Sequence, residues 1–250
     1  MQNIPLALQL WSLRNETTND ADATLRLVPG FGYSHIETAG SYGWDAEKWT
    51  AFLEETGLKI IGAHIGLGEV EANPDVVIAF QKAVGNPAII VPSLPPELTK
   101  STAGFEVAAR RLSEAGAKYR AAGFQFLYHN HAFEFEPLPD GGCGMEILLA
   151  QTNPDVVAFE FDTYWLHRGG HEAAEYLHRH ANRAGMVHAK EFVAATNNDA
   201  AVGQGNIDFP KIVSLAKQNA WPIVVEYEGS EDVAAVATAS AIYLNGLIAG

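Results

Sequence analysis

The residues best suited to chemistry are acids, imidazoles and one lysine that lie at the ends of four apolar segments in the second half of the chain, or just after them. These residues are His129, His131, Glu134, Glu160, Asp162, His188, Lys190, Glu226 and Glu228. The members of the pairs 160/162, 188/190 and 226/228 share a face if each segment is a β-strand, because strand side chains alternate. Burying several carboxylates together is costly unless a positive charge compensates, and a divalent cation is the simplest such charge. The pattern therefore predicts a metal site.

The predicted ligand types limit the choice of metal. Three carboxylates and one imidazole form an oxygen-rich set, which suits Mn²⁺, Mg²⁺ or Co²⁺ better than a thiolate-type zinc site, although Zn²⁺ also fits. We expect one divalent metal ion, with Mn²⁺ placed first.

The elements that must position these residues follow one pattern along the whole chain. Eight short apolar, β-rich segments cover residues 6–11, 33–37, 58–64, 87–92, 124–129, 156–162, 184–190 and 222–228. The residues between them have helical spacing or helix-start signals, and strands that alternate with helices form parallel sheets. Eight strands in 250 residues fit a closed barrel better than a doubly wound sheet, whose glycine fingerprint is missing after the first segment. We predict an α/β fold, a single (β/α)8 TIM barrel over residues 1–250, with its chemistry at the carboxyl ends of the strands.

The composition limits the classes of partner. The chain is 48% hydrophobic and 18% charged, as is typical of globular domains, and its formal charge of -14 comes from 30 acidic and 16 basic residues. Nucleic acids and anionic membrane surfaces attract basic patches, so neither is expected as a partner. The chain has no apolar run of membrane-spanning length and no signal-peptide pattern, and Cys143 is its single cysteine, so we expect a cytoplasmic protein. The oligomeric state is left open, and a homo-oligomer is compatible with the sequence.

Four motifs carry a family resemblance. YHNHAFEF, FEFDTYW, VHAKEF and VVEYE, at the last four candidate strands, resemble the xylose-isomerase-like barrel family of sugar isomerases and epimerases. That family includes ketose 3-epimerases, inosose dehydratases and the metal-bearing subunit of C-glycoside deglycosidases. The resemblance spans nearly the whole chain, and it implies that Glu134, Asp162, His188 and Glu226 bind one divalent metal. Glu228 is the rival of Glu226: strand alternation does not choose between them, whereas the family pattern favours Glu226.

The resemblance also implies an activity. We expect a metal-dependent sugar isomerase or epimerase that removes a proton next to the carbonyl of a ketose or keto-sugar, through a metal-stabilised enediolate. In ketose epimerases of this family the first and last glutamates flank the reacting carbon, so Glu134 and Glu226 are the expected catalytic pair. His131 matches a residue that related lyases use as acid or base, and it could either expel a leaving group or orient Glu134.

Two other functions stay open at this stage. One is a metal-dependent lyase or dehydratase that eliminates from a 3-keto-glycoside or inosose, although Glu134 departs from the strand-five motif common in inosose dehydratases. The other is a non-catalytic carbohydrate-binding subunit. A small-molecule sugar or sugar derivative is the expected partner in each case, and the few basic residues near strand ends favour a neutral sugar over a phosphorylated one.

Five residues near strand ends, of which Lys190 was named above, are candidates for substrate contact. They are Trp11, Glu37, His64, Trp165 and Lys190. The two indoles could stack on a sugar ring or cover the core, and Glu37 could bind a hydroxyl or form an ion pair. His64 could instead be a packing residue, and Lys190 could instead pair with Glu160 or Glu228. The glycines of VGQGNIDFP resemble a phosphate loop only weakly, and Asp208 is better explained as a helix N-cap before Pro210.

Overall fold

Eight parallel strands close into a barrel in a computed structural model that describes residues 4–229 and 232–250. The strands are β1 (Leu6–Gln9), β2 (His35–Ala39), β3 (Lys59–His64), β4 (Ala88–Val91), β5 (Gln125–His129), β6 (Ala158–Asp162), β7 (Ala184–Ala189) and β8 (Ile223–Val225). Each strand pairs with the next along the chain, and β8 pairs with β1. Every predicted segment overlaps one strand, so the prediction of a (β/α)8 barrel is confirmed. Several strands are shorter than predicted because their polar ends continue into loops, as Lys190 and Glu226 do.

Helices connect consecutive strands and cover the outside of the barrel. They are α1 (Arg14–Asn19), α2 (Ala21–Leu25), α3 (Ala46–Thr56), α4 (Leu67–Ala72), α5 (Pro74–Ala83), α6 (Thr102–Ala121), α7 (Gly144–Gln151), α8 (Thr163–Arg168), α9 (Ala173–Arg179), α10 (Phe209–Asn219) and α11 (Val233–Ala249). Local sequence sets their ends. The Asp208 side chain accepts a hydrogen bond from the Lys211 amide at 3.1 Å, with Pro210 in the first turn of α10, which confirms the predicted N-cap. In the part of the chain described, no helix is long and apolar enough to cross a membrane.

The two faces of each strand belong to different parts of the core, one shared with the helices and one inside the barrel. Tyr128 and Phe159 belong to the large apolar core that the strands share with the helices. Ala88, Ile90, Leu127 and Met186 form a separate buried cluster of strand residues inside the barrel. His129 and His188 come two residues after Leu127 and Met186, so they continue the inner face of their strands. The barrel interior is therefore polar at the carboxyl ends of the strands and apolar one layer further in.

Candidate metal and active site

Four buried side chains meet at the carboxyl end of the barrel interior. This outer group consists of His129, Asp162, His188 and Glu226, and each residue offers one ligand atom within 4.8 Å of the other three. His188 Nδ1 lies 3.6 Å from Asp162 Oδ2 and 3.7 Å from Glu226 Oε2. Within the described residues, Asp162 Oδ2 and His188 Nδ1 are buried and have no hydrogen-bond partner. Because buried polar atoms are nearly always paired, two unpaired ligand atoms that face each other fit a divalent cation.

A second layer of acids and imidazoles lies next to the outer group. This inner group consists of Glu37, His64 and Glu160. Glu37 Oε1 lies 2.9 Å from His64 Nε2 and 2.9 Å from His188 Nε2, and it accepts a hydrogen bond from Gln9 Nε2 at 2.6 Å. Glu160 Oε2 lies 3.0 Å from His64 Nε2 and 3.1 Å from His129 Nδ1. The inner group therefore holds one ring nitrogen of each histidine in the outer group.

The charges of the inner group depend on one another. Burial and the nearby charge of Glu37 raise the pKa of Glu160 to about 7. Burial would lower the pKa of His64, but the two carboxylates outweigh it and raise that pKa to about 9. Burial would raise the pKa of Glu37, but His64 and His188 hold it below its usual range. Glu37 was predicted to contact substrate, whereas the structure buries it completely in this layer, so the ion-pair alternative is the one observed.

Glu134 is the predicted ligand that the structure does not bring into the outer group. It lies in the turn Phe133–Phe135, where its carboxylate accepts hydrogen bonds from the Tyr128 hydroxyl at 2.5 Å and the His131 backbone amide at 2.9 Å. Tyr128 belongs to the outward face of β5, so Glu134 points toward the helical layer and away from the barrel axis. Burial raises the pKa of its carboxyl to about 7. His129 stands in the group where Glu134 was expected.

A cavity of about 440 Å³ opens above the outer group. Its lining includes Trp11, His64, His129, His131, Glu226 and Glu228. His131 Nδ1 is buried without a hydrogen-bond partner in the described chain, and burial lowers the pKa of the ring to about 4. The ring lies 5.0 Å, centroid to centroid, from that of His129. His131 is therefore a neutral imidazole beside the predicted metal.

Glu228 lines both this cavity and a neighbouring one of about 670 Å³, which Lys190 and Trp165 also line. The Lys190 ammonium contacts Glu228 and lies 3.3 Å from Glu226 Oε2, so Glu228, not Glu160, is the partner observed. Trp165 holds Asp162 through its backbone amide, which donates to Oδ1 at 2.8 Å. Trp11 is 46% exposed, and its indole N–H donates to Glu228 Oε2 at 3.3 Å. Glu226 is thus directed to the outer group, and Glu228 stays at the rim.

The barrel fold and the outer group are together typical of an enzyme family. Acids and imidazoles lie at the carboxyl ends of the strands, where barrel enzymes have their active sites. The chain belongs to the xylose isomerase-like TIM barrel family, whose model matches residues 25–245, and the resemblance in its motifs is thereby confirmed. It is similar to an inosose dehydratase of Lacticaseibacillus casei at 26% identity, and the match covers 79% of this chain and 78% of the relative.

Two solved structures share the fold. The crystal structure of a sugar phosphate isomerase/epimerase from Parabacteroides distasonis ATCC 8503 superposes with a TM-score of 0.84 at 23% identity, over 98% of this chain and 94% of that one. The structure of the IOLI protein with a bound zinc atom has a TM-score of 0.75 at 13% identity, and the match covers 98% of both chains.

Proposed function

We propose that this protein is a divalent-metal-dependent enzyme that removes a proton next to the carbonyl of a ketose, inosose or keto-glycoside. His129, Asp162, His188 and Glu226 would hold the metal, because their ligand atoms converge and two of them are unpaired. A bound divalent cation would act as a Lewis acid toward the carbonyl oxygen of the substrate. The name of the inosose dehydratase supports an inosose as substrate, and the zinc atom named for the IOLI structure supports a bound metal in this fold.

The revised ligand set changes the order of the metals. With His129 in place of Glu134, the set has two imidazoles and two carboxylates instead of one imidazole and three carboxylates. Imidazole nitrogen suits Zn²⁺ and Co²⁺ better than Mg²⁺. We therefore propose Zn²⁺ and Mn²⁺ as equal first candidates for the bound metal. A metal analysis of the protein as purified decides between them.

One observation favours elimination as the overall reaction: His131 lines the cavity, whereas Glu134 points away from it. Epimerisation by two opposed carboxylates needs Glu134 and Glu226 on the two sides of the carbon, and this pair is not available. The His131 imidazole can take the proton from carbon and return it to a leaving oxygen, which then departs as water or an alcohol while the carbon–carbon double bond forms. A lyase or dehydratase acting on an inosose or 3-keto-glycoside is thus the first candidate.

Epimerisation or isomerisation is the second candidate. Glu226 lines the same cavity as His131, so an imidazole and a carboxylate could exchange the proton on two faces of one carbon. The two candidates share the removal of the proton and differ in where the proton returns.

Proton exchange tests the shared step. The metal-loaded protein is incubated in D₂O with a panel of ketoses, inososes and 3-keto-glycosides, and deuterium incorporation and products are followed by mass spectrometry. We expect deuterium at the carbon next to the carbonyl for at least one class. Loss of water or aglycone identifies a lyase, and a stereoisomer identifies an epimerase. Absence of exchange with every member of the panel would favour a non-catalytic sugar-binding subunit.

A further inference from the structure

The inner group has the geometry of a cation site of its own. Glu37 Oε1, Glu160 Oε2, His64 Nε2 and His188 Nε2 approach one another in four contacts of 2.9, 3.0, 2.9 and 3.3 Å. Four ligands at about 2.0–2.1 Å from a tetrahedral zinc ion are separated by roughly 3.3–3.4 Å. The four imidazole–carboxylate contacts are within a few tenths of an ångström of that separation. His64, His129, Glu160 and His188 form a group whose ligand atoms all lie within 4.8 Å of one another, and Glu37 contacts both His64 and His188 beside it.

Unpaired atoms and charge give an independent reason. Glu37 and Glu160 are completely buried, and Glu37 Oε2 and Glu160 Oε1 have no hydrogen-bond partner in residues 4–229 or 232–250. Two neighbouring carboxylates in a low-dielectric interior repel each other unless a positive charge balances them. Without a metal, the protonated His64 and His188 that contact these carboxylates supply that charge, and one divalent cation would replace it while leaving the imidazoles neutral.

The backbone makes room for these two acids. The pairing register shifts between Ile36 and Glu37 and again between Phe159 and Glu160, and such irregularities re-aim side chains. A Cβ at Gly62 would lie 2.6 Å from Glu37 Oε2, so glycine leaves the space that this carboxylate occupies. His64 is 10% exposed and lines the 440 Å³ cavity, which gives an ion a path to the inner group.

We propose that the inner group and His188 Nε2 form a second cation position, suited to zinc or a similar divalent ion. It stands apart from the reaction proposed above, but it shares His188 with the outer group, which uses Nδ1 of the same ring. A neutral imidazole has one unprotonated nitrogen, so His188 serves one position at a time. The two positions therefore compete, and weakening the outer position shifts the ion inward.

Anomalous X-ray diffraction at the zinc edge locates the ion directly. Crystals of the zinc-loaded wild-type protein and of Asp162→Asn are compared. We expect wild-type density at the outer group, and in Asp162→Asn a peak within bonding distance of His64 Nε2 and Glu160 Oε2. If Asp162→Asn binds zinc nowhere, or only among the remaining outer ligands, the inner position is refuted while the proposed function stands. Absence of outer density in the wild type would instead count against the proposed metal centre.

A solution measurement supports the crystals. Zinc affinity is measured by chelator competition for Asp162→Asn alone and combined with Glu160→Gln, with the exposed Glu172→Gln as the matched control. We expect Glu160→Gln to raise the Kd for zinc at least tenfold in this background, and Glu172→Gln to leave it unchanged. Should Glu160→Gln compromise folding, His64→Gln makes the same test from the imidazole side. Equal affinities for Glu160→Gln and its control, in a folded protein, overturn the proposal.

Discussion

The placement of Glu134 predicts an unusual dependence of stability on pH. Its carboxyl is completely buried against the Tyr128 hydroxyl and the His131 amide, and burial raises its pKa to about 7 from an ordinary value near 4.5. The folded protein therefore keeps this proton over a range in which the unfolded chain has lost it. Stability from this group is present in full below pH 4.5 and is lost as the pH rises to about 7. At about 1.4 kcal/mol per unit, the loss is roughly 3 kcal/mol.

Glu134→Gln removes this titration and nearly preserves the shape of the side chain. The amide oxygen can accept from the His131 amide while its NH₂ group donates to the Tyr128 oxygen, so both contacts can survive. We expect the stability of Glu134→Gln relative to wild type to improve by roughly 3 kcal/mol between pH 4.5 and pH 8. The direction follows from the raised pKa: only the wild type must ionise a buried acid as the pH increases.

Urea denaturation at several pH values, with EDTA present so that metal binding does not contribute, measures this difference. Glu136→Gln is the matched control, because Glu136 lies two residues away and is exposed. The control should follow the wild-type profile. A difference between Glu134→Gln and wild type that is independent of pH, or one of opposite sign, would refute the placement of Glu134 as a buried, protonated carboxyl.

Three further substitutions test the cavity and the inner group. His131→Gln should lower kcat by roughly 10²–10⁴-fold with unchanged metal content, because it removes an acid–base group and no ligand; a normal kcat would assign the proton transfer elsewhere. Trp11→Ala should raise KM roughly two- to tenfold with little change in kcat if the indole stacks on a sugar ring, whereas an unchanged KM would leave it a rim residue. Gly62→Ala should lower the free energy of unfolding by about 1–3 kcal/mol in urea titrations, because its Cβ would lie 2.6 Å from Glu37 Oε2; no loss would mean that this region repacks freely.

The barrel could be predicted from the sequence because it depends on local repetition, whereas the choice of Asp162, His188 and Glu226 within their pairs came from the family resemblance. The order of strands and helices can be predicted from hydropathy and turn residues. Eight parallel strands that each pair with the next along the chain can then close into a barrel. Asp162, His188 and Glu226 lie at or just after strand ends, where the barrel interior is near. His129 was named among the residues suited to chemistry but not as a ligand, although it lies two residues after Leu127 and so continues the inner face of β5. Applying the alternation to that strand would have found it.

Glu134 shows where the alternation stops being informative. It lies five residues beyond the end of β5, in a turn whose direction depends on the contacts of its own side chain with Tyr128 and His131. The spacing H-x-x-E is therefore compatible with either side of the strand. A sequence motif in a loop indicates which residues are near one another, but it does not predict which of their side chains face the barrel axis.

The division into an inner and an outer group depends on the pairing register between neighbouring strands. That register cannot be predicted from the alternation of side chains within one strand. Glu160 and Asp162 share a face, but Glu160 pairs with His129 whereas Asp162 pairs with His188, so the two acids lie at different heights along the barrel axis. Glu37 pairs with Gly62 after an irregularity in β2 and β3, which places it level with the buried layer instead of the rim. Side-chain alternation thus selects the residues that face the axis, and the register sets their heights. His129 is level with Glu160 and contacts it, but it also belongs to the outer group. Since His188 contacts both layers through its two nitrogens, it is the residue through which a change of register or of protonation in one layer reaches the other.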